Sequence, residues 1–179
     1  MQDPVYEVTS VIKGIVQAQN ATLQRDTLRK YYAPDASFDH PFYLVGSSAS
    51  SRETGILPIY QWQRCLYIPQ VEVHNVGFDK ESNKIFLDVT QRWVPTFLPK
   101  ALYAPTLRSI IVLYLQRGAD GRFYVKRQED YYQPQTLPGK LIPGFDIVIL
   151  LSKRICTFIC LLLALFCRVV FRHWRPVAQ

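Results

Sequence analysis

The feature that most constrains the fold is a two-residue alternation of apolar and polar side chains between Lys84 and Val94. One face of this run carries Ile85, Leu87, Val89, Gln91 and Trp93. Because successive side chains of a strand point to opposite faces, the pattern predicts a half-buried β-strand. Similar runs cover residues 71–78, 108–117 and 122–132, with turn-forming residues at 79–83 and 118–121. Together the four runs predict an antiparallel meander.

Helical patterns precede these strands. Helices are expected at about residues 4–19, 20–32 and 51–67, and a strand broken by Pro41 is expected at residues 36–45. Asp3 followed by Pro4 is typical of a helix start, and Ser51 is expected to cap the third helix. The chain has no strand–helix alternation typical of a parallel sheet. It is therefore predicted to be α+β, with helices packed on one face of a curved, mostly antiparallel sheet.

A resemblance to a known family rests on the run Tyr31-Tyr32-Ala33-Pro34-Asp35-Ala36-Ser37-Phe38, in which a helix leads into the first strand. This run resembles the nuclear transport factor 2-like superfamily, also called the SnoaL-like cone. Residues 88–91 and 128–134 are similar to its fungal SigF-like subgroup. The resemblance implies a cone-shaped domain over residues 4–137 that encloses a pocket. Members include isomerases, dehydratases, epoxide hydrolases and non-catalytic binding proteins, so the fold does not define a function.

Candidate site residues lie on the predicted strands and the third helix. Asp39 and His40 are the catalytic candidates, because a carboxylate or an imidazole with a hydrogen-bonding partner can transfer protons. Adjacent strand residues face opposite ways, so only one of the two can line a pocket. The predicted ligand-binding residues are Tyr60, Gln91, Trp93 and Tyr114. Glu129 and Asp130 also face opposite ways, and an ion pair of one of them with Arg92 or Arg127 is the favoured interpretation.

Several function classes are disfavoured. The sequence has no dinucleotide-binding, P-loop, zinc-protease or nucleophile-elbow motif, so no cofactor is expected. His40, His74 and His173 are too scattered to predict a metal site, and no CxxC pair is present. Five of the seven net positive charges belong to residues 147–179. Because the body is close to neutral, no nucleic-acid partner is expected.

The C-terminal segment is apolar and basic. Residues 147–173 are predicted to form a hydrophobic membrane-associated helix, joined to the cone domain by a linker at residues 138–146. Membrane contact is assigned to Ile155, Phe158, Leu161, Leu162, Leu163, Leu165 and Phe166. A short tail anchor is the first interpretation, and an interfacial helix or a helix buried in the protein are the alternatives. The domain is expected to face the cytosol, with the endoplasmic reticulum favoured over the mitochondrial outer membrane.

The proline-rich apolar segment Val94–Thr106 is expected to pack over the sheet edge, or else to act as a lid, a partner contact or a membrane contact. The chain is thus predicted to be a membrane-attached, non-catalytic binder of a hydrophobic small molecule or lipid. The alternatives are an isomerase- or dehydratase-like enzyme and a protein-interaction adaptor, and a homodimer is left open. An enzyme requires a polar group that points into a closed pocket, a binder requires an apolar cavity, and an adaptor requires an exposed apolar sheet face.

Overall fold

A computed structural model describes residues 1–97, 103–137, 139–142 and 144–170 of the chain. The chain forms two compact units, residues 1–133 and residues 134–179. The first unit contains α1 (Pro4–Val16), α2 (Ala21–Tyr31), β1 (Tyr32–His40), β2 (Tyr43–Val45), a π-helical turn (Arg52–Ile56), α3 (Leu57–Leu66), β3 (Tyr67–Asp79), β4 (Lys84–Pro95), β5 (Thr106–Arg117) and β6 (Phe123–Tyr132). The second contains a 3₁₀ turn (Gly139–Leu141) and α4 (Phe145–Val170).

The helix starts are only partly as predicted. The Asp3 carboxylate accepts hydrogen bonds from the backbone N–H groups of Val5 and Tyr6, which satisfies two of the free donors at the start of α1. The predicted Ser51 cap is wrong. The Ser51 hydroxyl instead donates to the carbonyl of Ala36 at 2.6 Å, so it ties the π-helical turn to β1.

The six strands form one sheet in the order β2-β1-β6-β5-β4-β3. Neighbouring strands are antiparallel except β1 and β6, which are parallel. The predicted strand at residues 36–45 is a hairpin of β1 and β2, and β1 begins earlier than predicted, at Tyr32. Pro34 lies inside β1, where its fixed φ suits extended backbone. The predicted α+β class, with N-terminal helices and a mostly antiparallel sheet, is confirmed.

The core lies between the helices and one face of the sheet. Buried residues of α1 recur at helical spacing and pack with the inward side chains of β4, which are Ile85, Leu87 and Val89. The three helices are linked through Gln24 of α2, which is buried. Its side-chain amide donates to the carbonyls of Ile15 at 2.7 Å and Tyr60 at 3.5 Å. The buried amide therefore fixes the helices that cover the sheet.

The second unit is dominated by α4, whose 26 residues span about 39 Å. None of its residues is buried, and its length and composition are sufficient to cross a membrane. All seven residues assigned to membrane contact lie on it and are exposed. Residues 171–173 of the predicted helix lie outside the described part of the chain. So do residues 98–102 of the predicted lid or contact segment, which follows the end of β4.

Candidate functional site

A small cavity lies between the helices and the inner face of the sheet. Most of its wall residues belong to β1, β4 and β6, where every second side chain points to the inner face because side chains alternate along a strand. The lining side chains are Phe38, His40, Tyr43, Gln91, Trp93, Ile111, Gln128, Asp130 and Tyr132 from the sheet, and Ile12, Val16, Tyr60 and Gln63 from α1 and α3. The cavity volume is about 20 Å³, which is room for one water molecule.

A buried hydrogen-bond network centred on Gln128 forms the floor of the cavity. The Gln128 side-chain carbonyl accepts hydrogen bonds from the hydroxyls of Tyr32 at 2.5 Å and Tyr60 at 3.1 Å. Its amide donates to the Asp130 carboxylate at 2.8 Å. Gln128 and Tyr32 are fully buried, so each polar group needs the partner that it has here. The network therefore holds Asp130 in a fixed orientation.

Asp130 is the carboxyl group of this cavity. Gln128 is its one hydrogen-bond partner among the described side chains, and no described cation forms an ion pair with it. Burial raises the pKa of the Asp130 carboxyl to about 7, and the hydrogen bond from Gln128 lowers it only in part. The carboxyl is therefore able to gain or lose a proton near neutral pH.

Tyrosine hydroxyls surround Asp130 and stay protonated. Burial raises the pKa of Tyr32, Tyr43, Tyr60 and Tyr132, and the negative charge of Asp130 raises each of them further. Two of these hydroxyls also contact amides of the wall. The Tyr43 hydroxyl accepts from Gln63 at 2.7 Å, and the Tyr132 hydroxyl accepts from Gln91 at 3.3 Å. The tyrosines therefore act as neutral hydrogen-bonding groups around one ionisable carboxyl.

His40 contributes a neutral imidazole to the cavity wall. Burial lowers the pKa of His40 to about 4, so the ring is uncharged at pH 7. The backbone N–H of Phe42 donates to its Nδ1 at 3.3 Å, which assigns the ring proton to Nε2. The imidazole stacks on the ring of Tyr43, with centroids 4.2 Å apart. His40 therefore offers the Nε2–H group as a donor.

Trp93 supplies a second N–H donor. Its indole Nε1 is buried, and no acceptor for it is found among the described residues. The ring packs edge-on against Tyr67, with centroids 5.4 Å apart, which fixes its position at the end of β4. A buried donor without a partner is costly, so an oxygen atom placed beside Trp93 would gain a hydrogen bond there.

The structure brings together most, but not all, of the predicted site residues. His40, Tyr60, Gln91 and Trp93 line the cavity. Asp39 instead lies on the opposite face of the sheet, where its carboxylate is 3.9 Å from Arg127. Tyr114 is also directed away from the cavity, and its hydroxyl donates to Glu129 at 3.0 Å.

The central group, Asp130, is not among the predicted site residues, because the sequence favours an ion pair for it or for Glu129. The ion pair does form, but between Glu129 and Arg127. Gln128, Asp130 and Tyr132 share the inner face of β6. Their signal in the sequence is three polar residues at two-residue spacing at the end of a strand whose earlier inner residues, Phe123 and Val125, are apolar.

A larger depression of about 390 Å³ opens at the other end of β6, beside Arg29, Arg52 and Tyr124. Two of its three arginines are already engaged in ion pairs, and the third, Arg117, lies over the ring of Phe123. Arg29 and Arg52 both form ion pairs with Glu53, and Arg52 also donates to the carbonyl of Tyr32 at 2.8 Å. The small cavity around Asp130 is therefore the better candidate site, because its polar groups have unused hydrogen-bonding capacity. Within the described residues, no group of three His, Cys, Asp or Glu side chains is placed to hold a metal ion.

Comparison with known proteins identifies the family of this chain. Residues 1–170 match the family described as the SigF NTF2-like domain, and the chain belongs to this family. The predicted cone fold is thereby confirmed. No curated protein matches the sequence.

Solved structures support the same fold at low sequence identity. A protein of ketosteroid isomerase-like fold from Catenulispora acidiphila, in complex with trimethylamine, is 11% identical with a TM-score of 0.56, over 75% of this chain and 91% of that one. An LEH-like epoxide hydrolase from M. tuberculosis is 15% identical with a TM-score of 0.54, over 83% and 94% of the two chains. A protein from Planctomyces limnophilus is 11% identical with a TM-score of 0.52, over 72% and 96%.

Proposed function

We propose that this chain is a membrane-attached domain that binds a small organic molecule in the cone cavity, and that Asp130 exchanges a proton with it. The observation that carries the proposal is a carboxyl group in a cavity wall without a cation beside it among the described residues. A site for a purely apolar lipid gains nothing from such a group, because burial of an unpaired carboxylate is costly. The carboxyl therefore favours the enzyme alternative over the non-catalytic binder.

The pKa of Asp130 supports a role in proton transfer. General acid–base catalysis is most effective when the pKa of the group is near the working pH. Burial raises the pKa of Asp130 to about 7, so both protonation states are populated in a neutral compartment. The carboxylate form takes a proton from a C–H group of the ligand, and the carboxylic acid form returns it either to a different carbon, which completes an isomerisation, or to a hydroxyl group that leaves as water. Isomerisation and dehydration both require these two steps.

The remaining wall groups suit a ligand that contains an oxygen acceptor. His40 at its Nε2 and Trp93 at its Nε1 each have an N–H group without a described partner. A carbonyl or hydroxyl oxygen would accept from these donors. Apolar contacts would come from Ile12, Val16, Phe38 and Ile111. The favoured ligand is therefore a mainly apolar molecule with one oxygen function, and its entry requires the cavity to widen.

Deuterium exchange tests this chemistry with a mixture of candidate ligands. Full-length protein in detergent is incubated in deuterated buffer with a lipid extract from its expression host, and the products are analysed by mass spectrometry. We expect one compound to gain deuterium or to lose water with the wild type, and the rate to fall at least about 100-fold for Asp130→Asn. Asp39→Asn, the same change on the opposite face, is the control. A compound that reacts equally with Asp130→Asn would show that Asp130 does not transfer the proton, and a compound that co-purifies without any reaction would indicate binding alone.

Attachment to a membrane is supported by α4. From Ile155 to Val170 the helix carries one charged residue, Arg168, and none of its side chains is buried. This apolar stretch is about 24 Å long, slightly shorter than a hydrocarbon core of about 30 Å. Lys153 and Arg154 precede it and are suited to the headgroup region. We therefore favour a short C-terminal anchor.

Carbonate extraction of cells that express the full chain tests the anchor. The wild type is expected to stay in the membrane pellet. A double variant Leu162→Glu, Phe166→Glu is expected in the soluble fraction, because two charges in the hydrocarbon core are costly. Tyr6→Glu introduces a charge at an exposed aromatic residue of α1 and is expected to leave the wild-type behaviour unchanged. Release of the wild type by carbonate would contradict the anchor.

A further inference from the structure

The exposure of the lining residues distinguishes the floor of the cavity from its mouth. Phe38, Tyr60 and Gln128 are buried and form the floor. His40 and Trp93 are half-buried, as are Tyr43, Gln63 and Tyr132. The half-buried residues belong to the C-terminal ends of β1, β4 and β6 and to the residues of β2 and α3 beside them. A ligand would therefore enter at this end of the cone.

Three exposed aromatic side chains belong to segments that adjoin this mouth, and we name them the aromatic rim. They are Phe42, Trp62 and Phe97, with 52%, 57% and 66% of their surfaces accessible. Each belongs to a segment that forms the mouth. The Phe42 ring lies 5.8 Å from the His40 ring, and Trp62 precedes Gln63, which hydrogen-bonds Tyr43.

Phe97 is placed by its neighbour in the chain. The Thr96 hydroxyl and backbone N–H both donate to the carbonyl of Leu66, so the end of β4 is fastened to the end of α3. Phe97, the next residue, therefore lies close to the end of α3, the helix that carries Trp62. Such a group of exposed aromatic side chains around a cavity marks an interaction surface.

The charge around the aromatic rim suits a lipid surface. The segments 40–44, 60–64 and 95–99 contain no acidic residue and one basic residue, Arg64. An anionic headgroup layer would therefore meet no negative charge from these segments. Aromatic side chains are favoured at the membrane–water interface, where their rings lie at headgroup level.

The chain leaves the cone from the same end. β6 ends at Tyr132, which lines the cavity, and α4 begins at Phe145. The 12 residues between them span at most about 40 Å when fully extended. When α4 lies in a bilayer, a tether of this length raises the effective concentration of lipid at the surface of the cone, including the rim.

We propose that the aromatic rim of Phe42, Trp62 and Phe97 docks into the interface of a lipid bilayer and that the cavity opens towards the membrane. The inference rests on the proposed attachment through α4, and it goes further by assigning a second membrane contact and a source of ligand. The ligand is then a molecule dissolved in the bilayer, which enters between the rim side chains without crossing water. Its apolar body and oxygen function match the groups that line the cavity.

Quenching of Trp62 fluorescence by brominated lipid tests the docking. The full chain is reconstituted in phosphatidylcholine vesicles with or without bromine on the acyl chains, and attachment is checked by flotation. The contribution of Trp62 is the difference between the wild type and Trp62→Phe, in which Trp93 and Trp174 are retained. We expect brominated lipid to reduce this contribution at least twofold.

A second tryptophan provides the matched control. Tyr6 lies near the start of β6, at the end remote from the mouth, because the backbone of Met1 pairs with Phe123 there. Tyr6→Trp in the Trp62→Phe background is expected to show less than about one-fifth of the quenching of Trp62.

The outcomes separate the two proposals. Protein that floats without quenching of Trp62 would overturn the docking and leave the anchor intact, and equal quenching at both positions would also overturn it. Protein that fails to float would refute the anchor itself. A Trp62 signal that depends on the protein-to-lipid ratio and not on bromine would show that a second copy covers the rim, which contradicts the proposal.

Discussion

Glu129 and Asp130 are neighbours on β6, yet they occupy opposite environments. Glu129 lies on the outer face, where Arg127 forms an ion pair with it and the hydroxyls of Tyr114 and Tyr131 donate at 3.0 and 2.6 Å. Burial alone would raise the pKa of Glu129, but these partners together lower it. Asp130 has a single neutral partner among the described side chains and a raised pKa. The number of hydrogen-bond and ion-pair partners, rather than burial alone, therefore decides which of the two carboxyl groups can exchange a proton near neutral pH.

The largest expected effect concerns the pH dependence of stability. The pKa of Asp130 rises from 3.8 to about 7 on folding, so the unfolded chain releases this proton first as the pH increases. The Asp130 contribution to stability is fully present below about pH 4 and is lost by about pH 7, a change of the order of 4 kcal/mol. Asp130→Asn should remove this loss and be more stable than the wild type at pH 8. Urea unfolding at pH 5 and pH 8 measures it, and an identical pH dependence for both proteins would contradict the assignment.

Loss of the cavity floor is the next largest effect. Gln128→Leu removes the acceptor of Tyr32 and Tyr60 and the donor to Asp130, and leaves these buried groups unpaired. We expect the free energy of unfolding to fall by about 3 kcal/mol at pH 7. Leu44→Gln, which changes an exposed side chain, is the control. Chemical denaturation that shows a loss below about 1 kcal/mol would mean that the network is not structural.

Glu129 should respond in the opposite direction to Asp130. Its folded pKa lies below 4.5, so its contribution to stability is present above that value and is lost as the pH falls through the folded pKa. Glu129→Gln removes the charge that pairs with Arg127 and should cost about 1 kcal/mol at pH 7. The cost should shrink as the pH falls through the folded pKa of Glu129. Thermal unfolding at pH 7 and in acid measures this difference, and an unchanged stability at pH 7 would show that the outer-face network contributes nothing.

The smallest effect is expected at Asp39. Its side chain is 52% exposed and lies 3.9 Å from the half-exposed guanidinium of Arg127. Exposed ion pairs of this kind contribute little, so Asp39→Asn should change the free energy of unfolding by less than about 0.5 kcal/mol. A loss as large as that of Glu129→Gln, measured by the same thermal unfolding, would indicate that Asp39 has partners beyond Arg127.

Much of the sheet could be predicted from periodicity. The alternation through β4 assigns Gln91 and Trp93 to one face together with Ile85, and the structure places all three on the inner face. The apolar tail likewise predicts α4. Both succeed because a local pattern repeats over many residues.

The features that could not be predicted from the sequence depend on contacts between segments that are distant in the chain. The parallel pairing of β1 with β6 has no local signal, and it is this pairing that brings His40 and Asp130 to the same cavity. Ser51 has the usual identity of a cap, but its hydroxyl donates to the Ala36 carbonyl of β1 and accepts from no backbone N–H group of the helical turn that follows it. Asp130 and Glu129 are equivalent in sequence terms, and only the tertiary partners distinguish the two carboxyls.

Titration of Asp130 itself tests the proposed proton exchange most directly. Carbon-13 NMR of the full chain in detergent, labelled at the aspartate side-chain carboxyls, follows each carboxyl from pH 3 to pH 9. One resonance should titrate with a midpoint at about 7 and be absent from the spectrum of Asp130→Asn. If every aspartate resonance has its midpoint below about pH 5, Asp130 is an ordinary carboxylate at neutral pH, and the proposed proton exchange in the cavity is wrong.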